Sequence, residues 1–171
     1  MTRFLRNFAV LLCVALWGCG GPSFQSGIYR GHGVQYRVGD LGAGWSPLGV
    51  ADHNDLAWSN DASQAIVQVN STCAADSDVP LTALTNHLLI GFTEREIRSQ
   101  ETHPLDEREA LVTNVNAKLD GVPRSLLLVV LKKDGCVYDM SLITPDDASL
   151  AAVRPAFENF VSEFHTVSPA Q

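Results

Sequence analysis

Apolar residues follow three rhythms along this chain, and each rhythm points to a different kind of element. An unbroken run of ten, Phe8 to Trp17, comes first. Alternation follows: Val34, Tyr36 and Val38 are separated by polar residues and predict a short strand. Leu56 to Ser59 and Ala65 to Val69, divided by the turn residues Asn60-Asp61, predict a hairpin whose second strand ends at Cys73. Helical spacing then sets in, with Leu81, Leu84, Leu88 and Phe92 on one face, Asp78 as the expected N-cap and a stop near Gly91. Arg95 to Thr102 alternates charged and polar residues around a single Ile97, the pattern of an edge strand whose charges discourage pairing with another chain.

The second half is more explicit. Leu111 to Leu119 and Val122 to Leu131 flank Asp120-Gly121, a pair suited to a type I′ turn because both positions need positive φ. Asp134-Gly135 turns the chain again into Cys136 to Ile143, giving a three-strand antiparallel meander. Pro123 cannot donate a ladder hydrogen bond, but opposite Lys118 it falls at a non-hydrogen-bonded pair, so the register survives. Leu126 to Leu131 is apolar at every position, which requires cover on both faces of that strand. Thr144 is the expected cap and Pro145 the start of a last helix, with Asp146 and Asp147 at its positive end. Leu150, Val153, Phe157, Phe160, Val161 and Phe164 form its apolar stripe, and Pro155 predicts a kink or a restart. The expected fold class is α+β, an antiparallel sheet sandwiched between a middle helix and a long C-terminal one.

The first apolar run needs a different explanation. Arg3 and Arg6 precede it, Gly18 follows it, and it is well short of the roughly 20 residues that span a bilayer, so residues 1–18 read as a secretory signal. Leu16-Trp17-Gly18-Cys19 resembles the lipobox of bacterial lipoproteins, with the bulky Trp17 as a departure from the usual small residue. That resemblance implies cleavage before Cys19 and acylation of its thiol, against the simpler reading of a plain cleaved signal. Membrane attachment would then be through an N-terminal lipid. Gly20, in place of the aspartate that resembles an inner-membrane retention signal, favours the outer membrane facing the periplasm. Residues 20–33 hold five glycines and one proline and are expected to form a flexible tether after Cys19, reaching about 20 Å. A single domain is expected over residues 34–167.

Export also bears on the cysteines. Losing Cys13 and lipidating Cys19 leaves Cys73 and Cys136, a pair suited to a disulfide in an oxidising compartment; two buried thiols or a redox pair are the alternatives. Charge narrows the partners. The formal charge of −7 becomes −9 once Arg3 and Arg6 leave with the signal, and Lys132-Lys133 is the only adjacent basic pair, so nucleic-acid binding is disfavoured.

The order of these elements is itself informative. A strand leading to Gly44-Trp45, the Leu56 to Ser59 strand with its Asn60-Asp61 turn, a central helix, the Asp-Gly meander and a terminal helix ending Phe160-Val161-Ser162-Glu163-Phe164 resemble the PsbP/Mog1-like α/β/α sandwich over residues 34–165. Members of that group are mostly non-enzymatic, and the resemblance implies a binding or assembly role by analogy of fold.

Chemistry-bearing motifs are sparse. The five histidines, His32, His53, His87, His103 and His165, show no zinc spacing, and there is no GxSxG, Ser-x-x-Lys, Walker loop or dinucleotide fingerprint. Asp52-His53-Asn54-Asp55 could hold a hard cation weakly but reads better as a solvated loop. The mixed-charge stretch from Glu94 to Glu109 reads as a solvent face, or as a docking patch for a basic partner. The expectation is therefore no catalytic residue, no metal and no cofactor, in a lipid-anchored binding or assembly module for another envelope protein. The alternative is a small-ligand-binding or hydrolytic domain with a loop pocket near Trp45, His53 and Asp55.

Overall fold

The structure is a computed structural model that describes residues 21–49, 54–73 and 78–167. Its elements are β1 (Ser23–Gln25), β2 (Ile28–Gly31), β3 (Val34–Arg37), β4 (Ser46–Pro47), β5 (Leu56–Asn60), β6 (Ala65–Cys73), α1 (Leu81–Leu88), β7 (Phe92–Leu105), β8 (Arg108–Leu119), β9 (Val122–Lys133), β10 (Cys136–Thr144), α2 (Asp147–Ser162) and β11 (His165–Thr166). Among the described residues they form a seven-stranded antiparallel sheet, ordered β4-β5-β6-β10-β9-β8-β7, and a four-stranded sheet, ordered β1-β2-β3-β11.

The meander follows the turn chemistry. Asp120 and Gly121 take φ of 51° and 79°, and Asp134 and Gly135 take 52° and 76°, the left-handed values that a type I′ turn requires. Leu119 then pairs with Val122 and Lys118 with Pro123, as the proline demands. In β9 every residue from Ser125 to Leu131 is buried. Leu127, Val129 and Leu131 join the larger core with Val67, Met140, Leu142, Phe157 and Phe160. Leu126 and Leu128 join a smaller one with Leu89, Val115 and Ala117. Helix α2 packs over β10, β6 and β9, and α1 over β9 and β8, so the large sheet has a helix on each face.

Several local features depart from the sequence reading. The stretch expected as a tether instead carries β1 and β2, because Ser26-Gly27 (φ 52° and 76°) and His32-Gly33 (φ 49° and 79°) are two-residue hairpin turns. Tyr29 and Tyr36, opposite each other across that hairpin, are both fully buried and fix the small sheet on the core. Thr144 is not a cap: it ends β10, buried, with its hydroxyl 2.9 Å from the Ser125 carbonyl and 3.1 Å from that of Asp146. The cap is Asp146, whose carboxylate accepts from the Ser149 amide at 2.7 Å. Helix α1 is capped at Pro80 rather than Asp78 and buries Thr85, whose hydroxyl donates to the Leu81 carbonyl. Pro155 does not restart the helix: α2 is continuous from Asp147 to Ser162, with Pro155 on the exposed side and the apolar stripe held on the sheet.

Two ties close the structure. Asp106, in the β7–β8 turn, accepts from the Thr166 amide (2.8 Å) and hydroxyl (3.0 Å) and pairs with Lys133 at 2.9 Å. Burial pushes its carboxyl up, but the bonds from Thr166 and Lys133 outweigh that and hold it below the usual carboxylate value. Next to Lys133 across the β9–β10 turn, Cys136 lies directly opposite Cys73, and their sulfurs are bonded.

The disulfide spans 63 residues, so replacing both cysteines by serine is expected to lower unfolding free energy by about 4 kcal/mol on the chain-entropy model. Urea titration of the oxidised wild type and the double variant measures it, and an unchanged midpoint would contradict the assignment.

Candidate functional site

Strand alternation decides which of the candidate residues can meet. Trp58 and Phe160 project from β5 and α2 into the same space, where their rings meet edge-on at 5.3 Å. Phe24 of β1 reaches over from the small sheet and meets Trp58 edge-on at 5.6 Å. Trp45, in the loop before β4, closes the arrangement around an open cavity of about 350 Å³ that Arg37, Asp40 and Glu163 also line. Arg37 makes no ion pair among the described residues. The cavity thus combines aromatic walls with one cation and two carboxylates at its rim.

Asp55 does not share this cavity. It sits just before β5, buried under the small sheet, where it accepts hydrogen bonds from the Tyr36 hydroxyl at 3.1 Å and from Ser71 of β6. The Tyr29 hydroxyl is buried nearby, close to the same carboxylate. Burial, together with the Asp55 charge, pushes the Tyr36 and Tyr29 hydroxyls well above the ordinary tyrosine value, so both remain protonated and neither serves as a base. This cluster pins the small sheet to the large one, and it sets Asp55 apart from the Trp45 cleft. His53 and Cys19 lie outside the described residues. Among the described residues no three His, Cys, Asp or Glu side chains come together to hold a metal ion.

A second cavity, of about 380 Å³, has no counterpart in the sequence reading. It runs between the β7 edge and α2, floored by Leu127, Val129 and Phe157 and walled by Val112, Leu105 and Val161. Its mouth carries charges of both signs: His103 near Glu101 at 3.5 Å, and Arg154 bonded to Glu158 at 2.7 Å. The i, i+4 spacing of Arg154 and Glu158 is visible in the sequence, but their facing His103 across a groove is not.

On the α1 side of β10, Asp139 is partly buried beside Asn70, whose amide donates to it at 3.0 Å. Burial pushes its carboxyl up to about 6; the Asn70 bond opposes this and the Asp55 charge adds to it.

The arrangement of layers is that of the PsbP/Mog1-like α+β sandwich. No family model and no curated protein matches the sequence. Solved structures do match the fold. The solution structure of cyanobacterial PsbP (CyanoP) from Synechocystis is similar with a TM-score of 0.56 and 16% identity, covering 89% of this chain and 99% of that one. The Ran-binding protein Mog1p of Saccharomyces cerevisiae gives a TM-score of 0.56 at 14% identity, over 79% of this chain and 90% of that one. LpqN of Mycobacterium tuberculosis, described as involved in cell envelope biogenesis, gives 0.54 at 11% identity, over 80% and 88%.

The Asp139 carboxyl gives a pH-dependent expectation. The folded protein keeps its proton up to about pH 6 while the unfolded chain releases it near 3.8, so this group's contribution falls as pH rises between those values. Asp139→Asn removes the fall, and is expected to stabilise by about 2 kcal/mol at pH 8 relative to pH 4. Urea unfolding of both proteins across that range measures it; a difference independent of pH would reject the assignment.

Proposed function

We propose that this chain is a lipid-anchored protein of the bacterial envelope whose domain acts, without catalysis, as a binding or assembly module for another envelope component. The lipid is carried on Cys19, in the outer membrane facing the periplasm. The reading is supported by the lipobox-like Leu16 to Cys19 segment, by the Cys73–Cys136 disulfide, which suits an oxidising compartment, and by the fold shared with an envelope-biogenesis protein.

The observation that carries the binding role is the groove between β7 and α2. Strand β7 is an edge strand of the large sheet, fourteen residues long, and its hydrogen-bonding edge is guarded by charges and by two register shifts, between Thr93 and Glu96 and between Ile97 and Ser99. Such an edge disfavours an added strand. The groove beside it has an apolar floor and a mouth of mixed charge, which suits an apolar side chain of a partner protein with polar groups around it.

Two measurements test this. Radiolabelled palmitate is expected to enter the wild-type chain and not a Cys19→Ala variant; equal labelling of both would remove the anchor. A photo-crosslinking residue at position 161 is expected to capture one envelope protein reproducibly, and Val112→Trp, which fills the groove, is expected to reduce that adduct about tenfold. Capture unchanged by the filled groove would remove the binding role from this face.

A further inference from the structure

With residues 22–33 folded into the small sheet, the anchor has almost no slack. Resting on the lipidated Cys19 reading, we propose that the face formed by β1, the β2–β3 hairpin and the Trp45 cleft lies directly against the phospholipid bilayer, the aromatic rings at the interface and Arg30 and Arg37 on lipid phosphates.

Three observations converge on this face. The first is chain length. Only residues 20–22 separate Cys19 from the start of β1, so Ser23 is within about 14 Å of the lipidated residue even if the link is fully extended. The second is charge. The chain is acidic overall, yet residues 19–39 contain Arg30 and Arg37 and no Asp or Glu. Arg30 is exposed directly opposite Ser23 across the hairpin, Arg37 lines the cleft, and neither makes an ion pair among the described residues. An acidic domain is repelled by anionic headgroups on most of its surface, so this stretch is the one the anchor can hold there at least cost. The cleft rim also carries the exposed carboxylates of Asp40 and Glu163, so Arg30 is the arginine of this stretch that stands clear of that cleft.

The third is side-chain type. Phe24, 39% exposed, stands one residue beyond the start of β1 and in contact with Trp58, and Trp45 lines the same cleft. Aromatic rings with one wet end suit the headgroup level of a bilayer. Leu48, 41% exposed, extends the apolar margin along the β4 edge.

The sequence supplies its own reporter. Of its three tryptophans, Trp45 and Trp58 both belong to this face. The mature lipidated chain, which has lost Trp17 with the signal, is taken from bacterial membranes and reconstituted into vesicles of phosphatidylethanolamine and phosphatidylglycerol with brominated acyl chains. Its tryptophan emission is expected to fall about twofold relative to unbrominated vesicles. Arg30→Glu with Arg37→Glu is expected to abolish most of that quenching, while the distant pair Arg95→Glu with Arg124→Glu leaves it intact. A palmitoylated chain with unquenched tryptophans, or one equally affected by both charge reversals, overturns this inference and leaves the anchor standing. A chain that takes up no palmitate and stays soluble overturns both. Unquenched emission with photo-crosslinks from position 45 to an envelope protein overturns it and gives the face to a protein partner.

Discussion

The whole architecture depends on the double-sided burial of β9. A strand apolar at six consecutive positions cannot face water on either side, so the large sheet needs a layer on each face. Helix α2 and the small sheet supply one layer, and α1 supplies the other. Everything of functional interest follows from how incompletely those layers cover the sheet. Where α2 diverges from β7 a groove opens, and where the small sheet meets β5 the Trp45 cleft opens.

What could be read in advance was whatever chemistry is local. The Asp-Gly turns, the run Leu126 to Leu131 and the stripe on α2 each state their own structure within a few residues, and the meander and the sandwich class followed from them. The N-terminal hairpin was hidden because a type I′ turn asks for the same small, glycine-rich residues that a tether does; only the burial of Tyr29 and Tyr36, supplied by distant parts of the chain, separates the two. Thr144 and Asp146 are both good caps by residue type, and β10 running on to Thr144 decided between them. The separation of Asp55 from the Trp45 cleft has a related reason. Asp55 and Trp58 are close in sequence, yet Asp55 goes to the tyrosines under the small sheet while Trp58 meets Phe24 and Phe160. Phe24 and Arg37 could be assigned to the cleft only after the small sheet was placed.

The two cavities lie towards opposite edges of one sheet. Five strand spacings separate β5 from β7, or about 24 Å. The cavities nonetheless share the end of α2, with Phe160 and Glu163 lining the cleft and Phe157, Val161 and Ser162 lining the groove. The similarity to CyanoP, Mog1p and LpqN, at 11–16% identity, is a similarity of scaffold and does not by itself choose a partner.

The small sheet is made from both ends of the chain: β1, β2 and β3 come first, and β11, paired to β3 at Tyr36 and Arg37, comes last. A polypeptide made N-terminus first can form the hairpin early, but that sheet stays incomplete until residue 166 is available to pair. Long-range closure of this kind is slow and cooperative. The fold thus behaves as a completeness check: a prematurely terminated chain would leave the Tyr36 edge unpaired and Asp106 without Thr166, and would present open strand to proteases rather than a finished domain.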